Sequence, residues 1–241
     1  MLERWTEVIT TTCRCGEPIE VPRASADRAL CDRCAGEEAA QAPPAVPLRP
    51  LAERIAAAGV LPRYRGCRRA SWDPARAPWP RGVDAWAEGG WQREPFLLLW
   101  GLTGNGKTHV ATALLLDRLE AGEGGLWRNG SELVERLKAD LEQDTGELER
   151  VIAAPLLVFD ELAADESAWT LREDGRFAWS RDRLRMVIEG RSARLAPTVF
   201  TTNRPPSWLM QTNAPLASRV LSGAVLEVTG PDQRLAKRRP V

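Results

Sequence analysis

The sequence has no excess of charge of either sign. Lys plus Arg and Asp plus Glu number 33 each among 241 residues. No global basic field draws nucleic acid, so any such contact must come from a local patch. No apolar run is long enough to span a bilayer, which speaks against a membrane partner. The stretch Met1 to Glu7 lacks the basic start and apolar core of a secretory signal. The expectation is a cytoplasmic protein, and in a reducing compartment its five cysteines are less suited to disulfides. Lys, Tyr and Phe are sparse while Arg, Ala, Pro and Trp abound. A GC-rich genome produces that bias as readily as a function does, so it carries no functional argument.

What is present begins with four clustered cysteines. Cys13 and Cys15 form one close pair, Cys31 and Cys34 another. Two such pairs around a short loop suit a tetrahedral four-thiolate Zn²⁺ site, against free thiols or a redox pair. Gly16 permits the tight turn of a metal knuckle. So short a segment has too little apolar surface to fold unaided, and metal binding would supply the folding energy. Cys67 stands alone and reads as a small core residue. The Ala- and Pro-rich stretch 37–50 reads as a semi-extended linker. The domain reading is therefore a zinc module at 1–36, a linker at 37–50 and a main domain at 51–241.

The main domain carries Gly101, Leu102, Thr103, Gly104, Asn105, Gly106, Lys107 and Thr108, which fit the phosphate-binding pattern G-x-x-x-x-G-K-[ST]. Before it runs an apolar strand from Pro95 to Trp100. After it, from His109 to Leu119, runs an amphipathic helix. A chance glycine-rich turn would lack those flanks. The glycines let backbone N–H groups wrap phosphate oxygens, and the helix N-terminus adds partial positive charge. Lys107 then reaches the β- and γ-phosphates and Thr108 holds Mg²⁺. This implies ATP and Mg²⁺ as ligands, with His109 at the edge of the cofactor-binding loop.

A second signal is the run from Pro155 to Leu162, a continuously apolar strand that ends in Asp160 and Glu161. Such hydrophobicity fits a parallel strand covered on both faces. Asp160 supports Mg²⁺ and Glu161 acts as general base toward water, against the plainer reading of a buried strand with a polar stop. A third strand, Ala196 to Asn203, ends in an Asn that can orient that water or simply form the turn before two prolines.

Elsewhere a short helix from Leu51 stops at Gly59. The basic run between Val60 and Arg69 is either a nucleotide or nucleic-acid contact or a solvated connector. The Trp- and Pro-rich piece from Trp72 to Trp91 reads as packing over the first strand. Leu126 to Arg128 reads as a strand, followed by a helix from an N-cap at Ser131 to Leu141. Arg128, Arg136 and Lys138 near that edge are weak nucleic-acid candidates. A long helix covers 176–191 and ends at Gly190, a helical segment covers 215–221, and Val225 to Val228 is a last strand.

Together these pieces resemble an AAA+ ATPase of the DnaC/DnaI/IstB type over residues 51–235. The resemblance rests on Gly59 to Arg65, the phosphate loop, Leu156 to Leu162, Pro197 to Asn203 and Ala217 to Val220, in the family's order. It implies an α/β three-layer P-loop fold with a central parallel sheet and little or no helical lid. It makes Asn203 sensor 1, Arg219 an arginine finger acting on a neighbouring subunit, and Arg234 a sensor 2 equivalent. Gln233 departs from the family, standing where an aromatic is usual. The implied activity is slow ATP hydrolysis that loads a hexameric replicative helicase onto single-stranded DNA. The implied partners are that helicase, the DNA, and further copies in an ATP-dependent ring or spiral. The sequence suits a bacterial or a phage-encoded loader. A transposition-regulating ATPase and a DNA-binding switch with little turnover are the alternatives.

Overall fold

The computed structural model describes residues 8–22, 29–34, 48–75, 77–163 and 179–233. The predicted linker over 37–47, the start of the predicted 176–191 helix and the predicted sensor Arg234 lie outside them. The chain divides into two compact units, Met1–Leu48 and Arg49–Val241.

The first unit is built on a hairpin. Strands β1 (Val8–Thr12) and β2 (Pro18–Pro22) pair antiparallel, closing with Thr12 opposite Pro18. Its turn holds Cys13 and Cys15, with Gly16 at φ +89°, a left-handed conformation that a side chain resists. Cys13, Cys31 and Cys34 are buried, with Ile19 and Leu30 packed against them. That is a very small apolar core.

The second unit is organised by five parallel strands: β3 (Phe96–Trp100), β4 (Leu126–Asn129), β5 (Leu157–Asp160), β6 (Thr198–Thr202) and β7 (Ala224–Glu227). Their order across the sheet is β4-β5-β6-β3-β7. The three inner strands are buried almost throughout, without alternation, because helices cover both faces. Leu97, Leu99, Val158 and Val199 face one layer, where helix α3 (Lys107–Glu120) contributes Val110, Ala111, Leu114 and Leu115. Helices α1 (Leu51–Ala57) and α2 (Val83–Ala87) also add to that layer, with Trp72 and Trp86.

Phe96, Leu98, Leu157, Phe159 and Phe200 face the opposite layer. Helices α4 (Gly130–Gln143), α5 (Glu147–Ala153), α6 (Trp179–Ala193), α7 (Pro206–Thr212) and α8 (Ala214–Leu221) build it. Phe96 meets the Phe200 ring edge-on with centroids 5.2 Å apart, and Phe159 packs 5.9 Å from Phe200. Such ring pairs add to burial of the strands.

Connectivity follows from these layers. The chain leaves β3, crosses one face by α3 to the far edge at β4, and returns strand by strand over the other face. The connections after β3 and after β6 therefore lie on opposite faces, and the carboxyl ends of these neighbouring strands part into a crevice, the usual ligand position in open α/β sheets.

Three local expectations change. Asn129, not Ser131, caps α4: its side chain accepts the Ser131 N–H at 3.2 Å. The last residue of β4 thus supplies the cap. Helix α6 runs through Gly190 to Ala193, since the residue after Gly190 is a buried arginine whose contacts hold the turn. Arg191 is fully buried. It donates to the carbonyls of Val151 (2.7 Å), Ile152 (3.1 Å), Ala154 (2.9 Å) and Pro197 (2.7 Å) and to Thr198 Oγ1 (2.7 Å). It satisfies the orphan carbonyls at the end of α5. Third, Arg128 offers nothing to nucleic acid. It is buried and ion-paired to buried Glu147 at 2.6 Å, tying β4 to α5. Arg136 and Lys138 pair with Glu132 and Glu135 on their own helix.

Candidate nucleotide site and thiolate centre

The crevice holds the phosphate loop. Thr103, Gly104, Gly106, Lys107, Thr108 and His109 line a cavity of about 220 Å³. Its far wall is made by Glu161, Thr201, Thr202 and Asn203 from the ends of β5 and β6, and its other end by Arg63, Tyr64 and Cys67. Lys107 is buried, and its ammonium donates to the carbonyls of Gly101 (2.9 Å) and Leu102 (2.7 Å) and to Asn105 Oδ1 (3.2 Å). The side chain thus closes the loop on itself, and its charge lies within the cavity wall. Asn105 is buried and its amide donates to the Val228 carbonyl, so the loop is also pinned to the chain beyond β7. Leu102 points away, 77% exposed.

Two loop glycines are required by what lies outside the loop. At Gly104 (φ +80°) a Cβ would collide with the Asp232 carboxylate. At Gly106 (φ +101°) it would lie 2.6 Å from the Trp72 ring. Both the backbone angle and the space exclude other residues.

The acidic end of β5 meets the loop directly. Thr108 Oγ1 donates to Asp160 Oδ1 at 2.8 Å, and Thr201 Oγ1 donates to the same oxygen at 2.7 Å. Asp160 is 2% exposed, and burial raises its carboxyl pKa against the pull of those two hydroxyls. Glu161 stands in a left-handed turn at φ +59°, with its N–H on Thr201 Oγ1 at 2.9 Å and its Oε2 accepting from Asn129 Nδ2 at 2.9 Å. A hydroxyl and a carboxylate at these positions fit a hard divalent cation of the Mg²⁺ type.

His109 lines the cavity, but its Nε2 lies 2.9 Å from the Arg68 carbonyl and its ring sits edge-on to Trp72, centroids 5.5 Å apart. It braces the lead-in segment against α3. Cys67 is buried in the core and also borders the cavity. Arg219 is not on the cavity wall of its own chain. It lies on α8, 42% exposed at its side chain, and pairs with Glu189 at 3.0 Å.

The sequence named Gln233 only as a departure from the family pattern and Trp72 only as strand packing, and it gave no sign of Asn129, Thr201 or Asp232. Each is an ordinary residue until the fold brings it to the loop or to the acidic strand end.

The cysteine unit converges as its spacing implied. The four sulfurs of Cys13, Cys15, Cys31 and Cys34 lie within 4.8 Å of one another. A tetrahedral zinc with bonds of about 2.3 Å spaces its sulfurs at about 3.8 Å, so small adjustments complete the shell. The Cys15 and Cys31 backbone N–H groups lower the Cys13 thiol to about 6, while Cys31, against the pull of the Cys34 N–H, is pushed up to about 12 by burial and the neighbouring sulfurs.

No protein-family model matches the chain, and no curated protein matches it in sequence. Solved structures do match. The DnaC helicase loader aligns with a TM-score of 0.56 at 21% identity, covering 70% of this chain and 100% of that one. DnaI aligns at 0.55 and 21%, covering 73% and 95%. AMPPCP-bound DnaA from Aquifex aeolicus aligns at 0.50 and 17%, covering 61% and 44%. The chain therefore spans less than half the length of that initiator. Among the described residues no helix is long and apolar enough to cross a membrane. Parallel sheet, phosphate loop and structural neighbours agree: this chain has the α/β phosphate-loop fold seen in the DnaC helicase loader, in DnaI and in DnaA, with an N-terminal cysteine cluster compatible with a zinc module.

Proposed function

We propose that this chain is an ATP-dependent loader of a replicative hexameric helicase onto single-stranded DNA. The observation that carries the ATPase reading is the 2.8 Å bond from Thr108 to Asp160, which joins the phosphate loop to the acidic strand end with Glu161 alongside. The loader reading is supported by the likeness to DnaC and DnaI over most of this chain.

In this mechanism Lys107 exchanges the carbonyls of Gly101 and Leu102 for phosphate oxygens. Thr108 and Asp160 would hold Mg²⁺, which would supply positive charge against the transferring phosphoryl group. Glu161, freed from Asn129, takes the proton of the attacking water, and Asn203 orients that water. Arg219 leaves Glu189 and enters the site of an adjacent copy, so hydrolysis requires assembly. Cys13, Cys15, Cys31 and Cys34 would hold Zn²⁺, which would fold a module that contacts the helicase.

The test is co-purification with the host's replicative helicase, with and without ATP, using the full chain and one lacking residues 1–40. Capture by the full chain with ATP, lost on deletion, supports the loader. Capture of a transposase instead moves the chain to the transposition-regulating branch. Absence of steady-state turnover with single-stranded DNA reduces it to a nucleotide-dependent switch.

A further inference from the structure

The chain beyond β7 runs back along the outside of the phosphate loop. Val228 extends the β7–β3 ladder, its N–H on the Trp100 carbonyl at 2.8 Å, while its own carbonyl accepts from Asn105. Four residues later Asp232 lies against Gly104, and the Gln233 N–H donates to the Gly104 carbonyl at 3.0 Å. The loop is thus strapped at both ends by residues 228–233. Gln233 also lines the nucleotide cavity beside Gly104, Gly106 and Lys107. Its side-chain Nε2 is buried without a hydrogen-bond partner among the described residues, at 3.8 Å from where a Cβ on Gly106 would stand.

A buried, unsatisfied amide donor costs free energy unless something meets it. The side chain borders the phosphate cradle, where the matching acceptor is an anionic oxygen reached by a small turn of the amide.

We infer that Gln233 is a nucleotide-binding residue: its side-chain amide donates to a phosphoryl oxygen of the bound nucleotide, and the 228–233 strap thereby reads whether the loop is filled. This deepens the ATP reading above and rests on it. The side chain contributes a donor and its backbone N–H holds Gly104, so one residue touches both ligand and loop. Occupancy then steadies the strap through two bonds instead of one.

The experiment measures ADP binding to the full chain by calorimetry in Q233L, Q233N and K107A. Q233L removes the amide, and Q233N draws it back by one methylene. We expect each to weaken ADP by about tenfold, the typical worth of a hydrogen bond to a charged acceptor. Adenosine, which lacks phosphate, should bind Q233L as it binds the wild type. Hydrogen exchange supplies the second readout: ADP slows exchange over 228–233 in the wild type and fails to do so in Q233L. Wild-type ADP affinity in both Gln233 variants, or exchange over 228–233 that ignores ADP, overturns the inference while K107A still loses ADP. ADP binding undiminished in K107A overturns the nucleotide reading itself.

Discussion

The amide of Asn129 donates to Glu161 Oε2 across 2.9 Å, tying the carboxylate assigned to water activation to the end of β4. While that bond stands, the general base is engaged elsewhere. Replacing Asn129 with Ala should raise basal phosphate release by about fivefold, the worth of one ordinary hydrogen bond. Replacing Glu161 with Gln should lower it by about a hundredfold or more with ADP affinity retained. Steady-state phosphate release checks both. A slower Asn129→Ala enzyme with intact nucleotide binding would mean that the bond positions Glu161 for catalysis.

Thr201 donates to Asp160 Oδ1 and accepts the Glu161 N–H, so one hydroxyl fixes both acidic residues. Thr201→Val keeps the shape and removes both bonds. We expect kcat to fall by about tenfold, with ADP affinity changed less than about threefold. Equal losses in both quantities would place Thr201 in ground-state binding.

Arg191 donates to four carbonyls and a hydroxyl from a buried position with no carboxylate beside it among its described contacts. Leu there leaves those carbonyls without that donor, and Lys cannot reproduce the fork. Arg191→Leu should cost on the order of 3–5 kcal/mol, read as a shifted denaturant midpoint. A shift near zero would show that α5 ends without needing this cap.

Zinc analysis of the purified chain should return one metal per chain, and Cys31→Ser should abolish it. Ligand thiols must be deprotonated, so metal affinity falls as pH is lowered. ATP hydrolysis should survive a zinc-selective chelator with Mg²⁺ kept in excess, since the phosphate loop and the acidic strand end belong to the second unit. A chain that purifies without zinc and keeps its helicase contact would remove the metal from the mechanism.

Arg219→Ala should retain nucleotide binding and lose about a hundredfold in hydrolysis, within the range for electrostatic stabilisation of a transferring group. Mixed with Glu161→Gln protein it should regain part of that activity, since each variant supplies what the other lacks. Activity that is independent of protein concentration and absent from the mixture would place the finger elsewhere.

The candidate nucleotide site was legible where its chemistry is local. Lys107 and Thr108 sit in a contiguous motif, and Asp160 with Glu161 end a strand whose apolar run announces burial on both faces. Strand positions held to within a residue or two for the same reason. What stayed hidden depends on contacts across the chain. Arg191 reads as one more basic residue at a helix end, and only its fivefold hydrogen bonding reveals a cap. Asn129 and Thr201 meet their carboxylates across 32 and 41 residues. Helices α5 and α7 went unread because each is only two turns long, too short for periodicity to show.

The Trp72 ring presses on Gly106 from a stretch that precedes the sheet altogether. That stretch therefore acts as a splint for the phosphate loop, and damage to it would masquerade as a lesion of the motif. A screen for ATP-deficient variants should return hits around Trp72 and His109 with all of the motif's glycines intact.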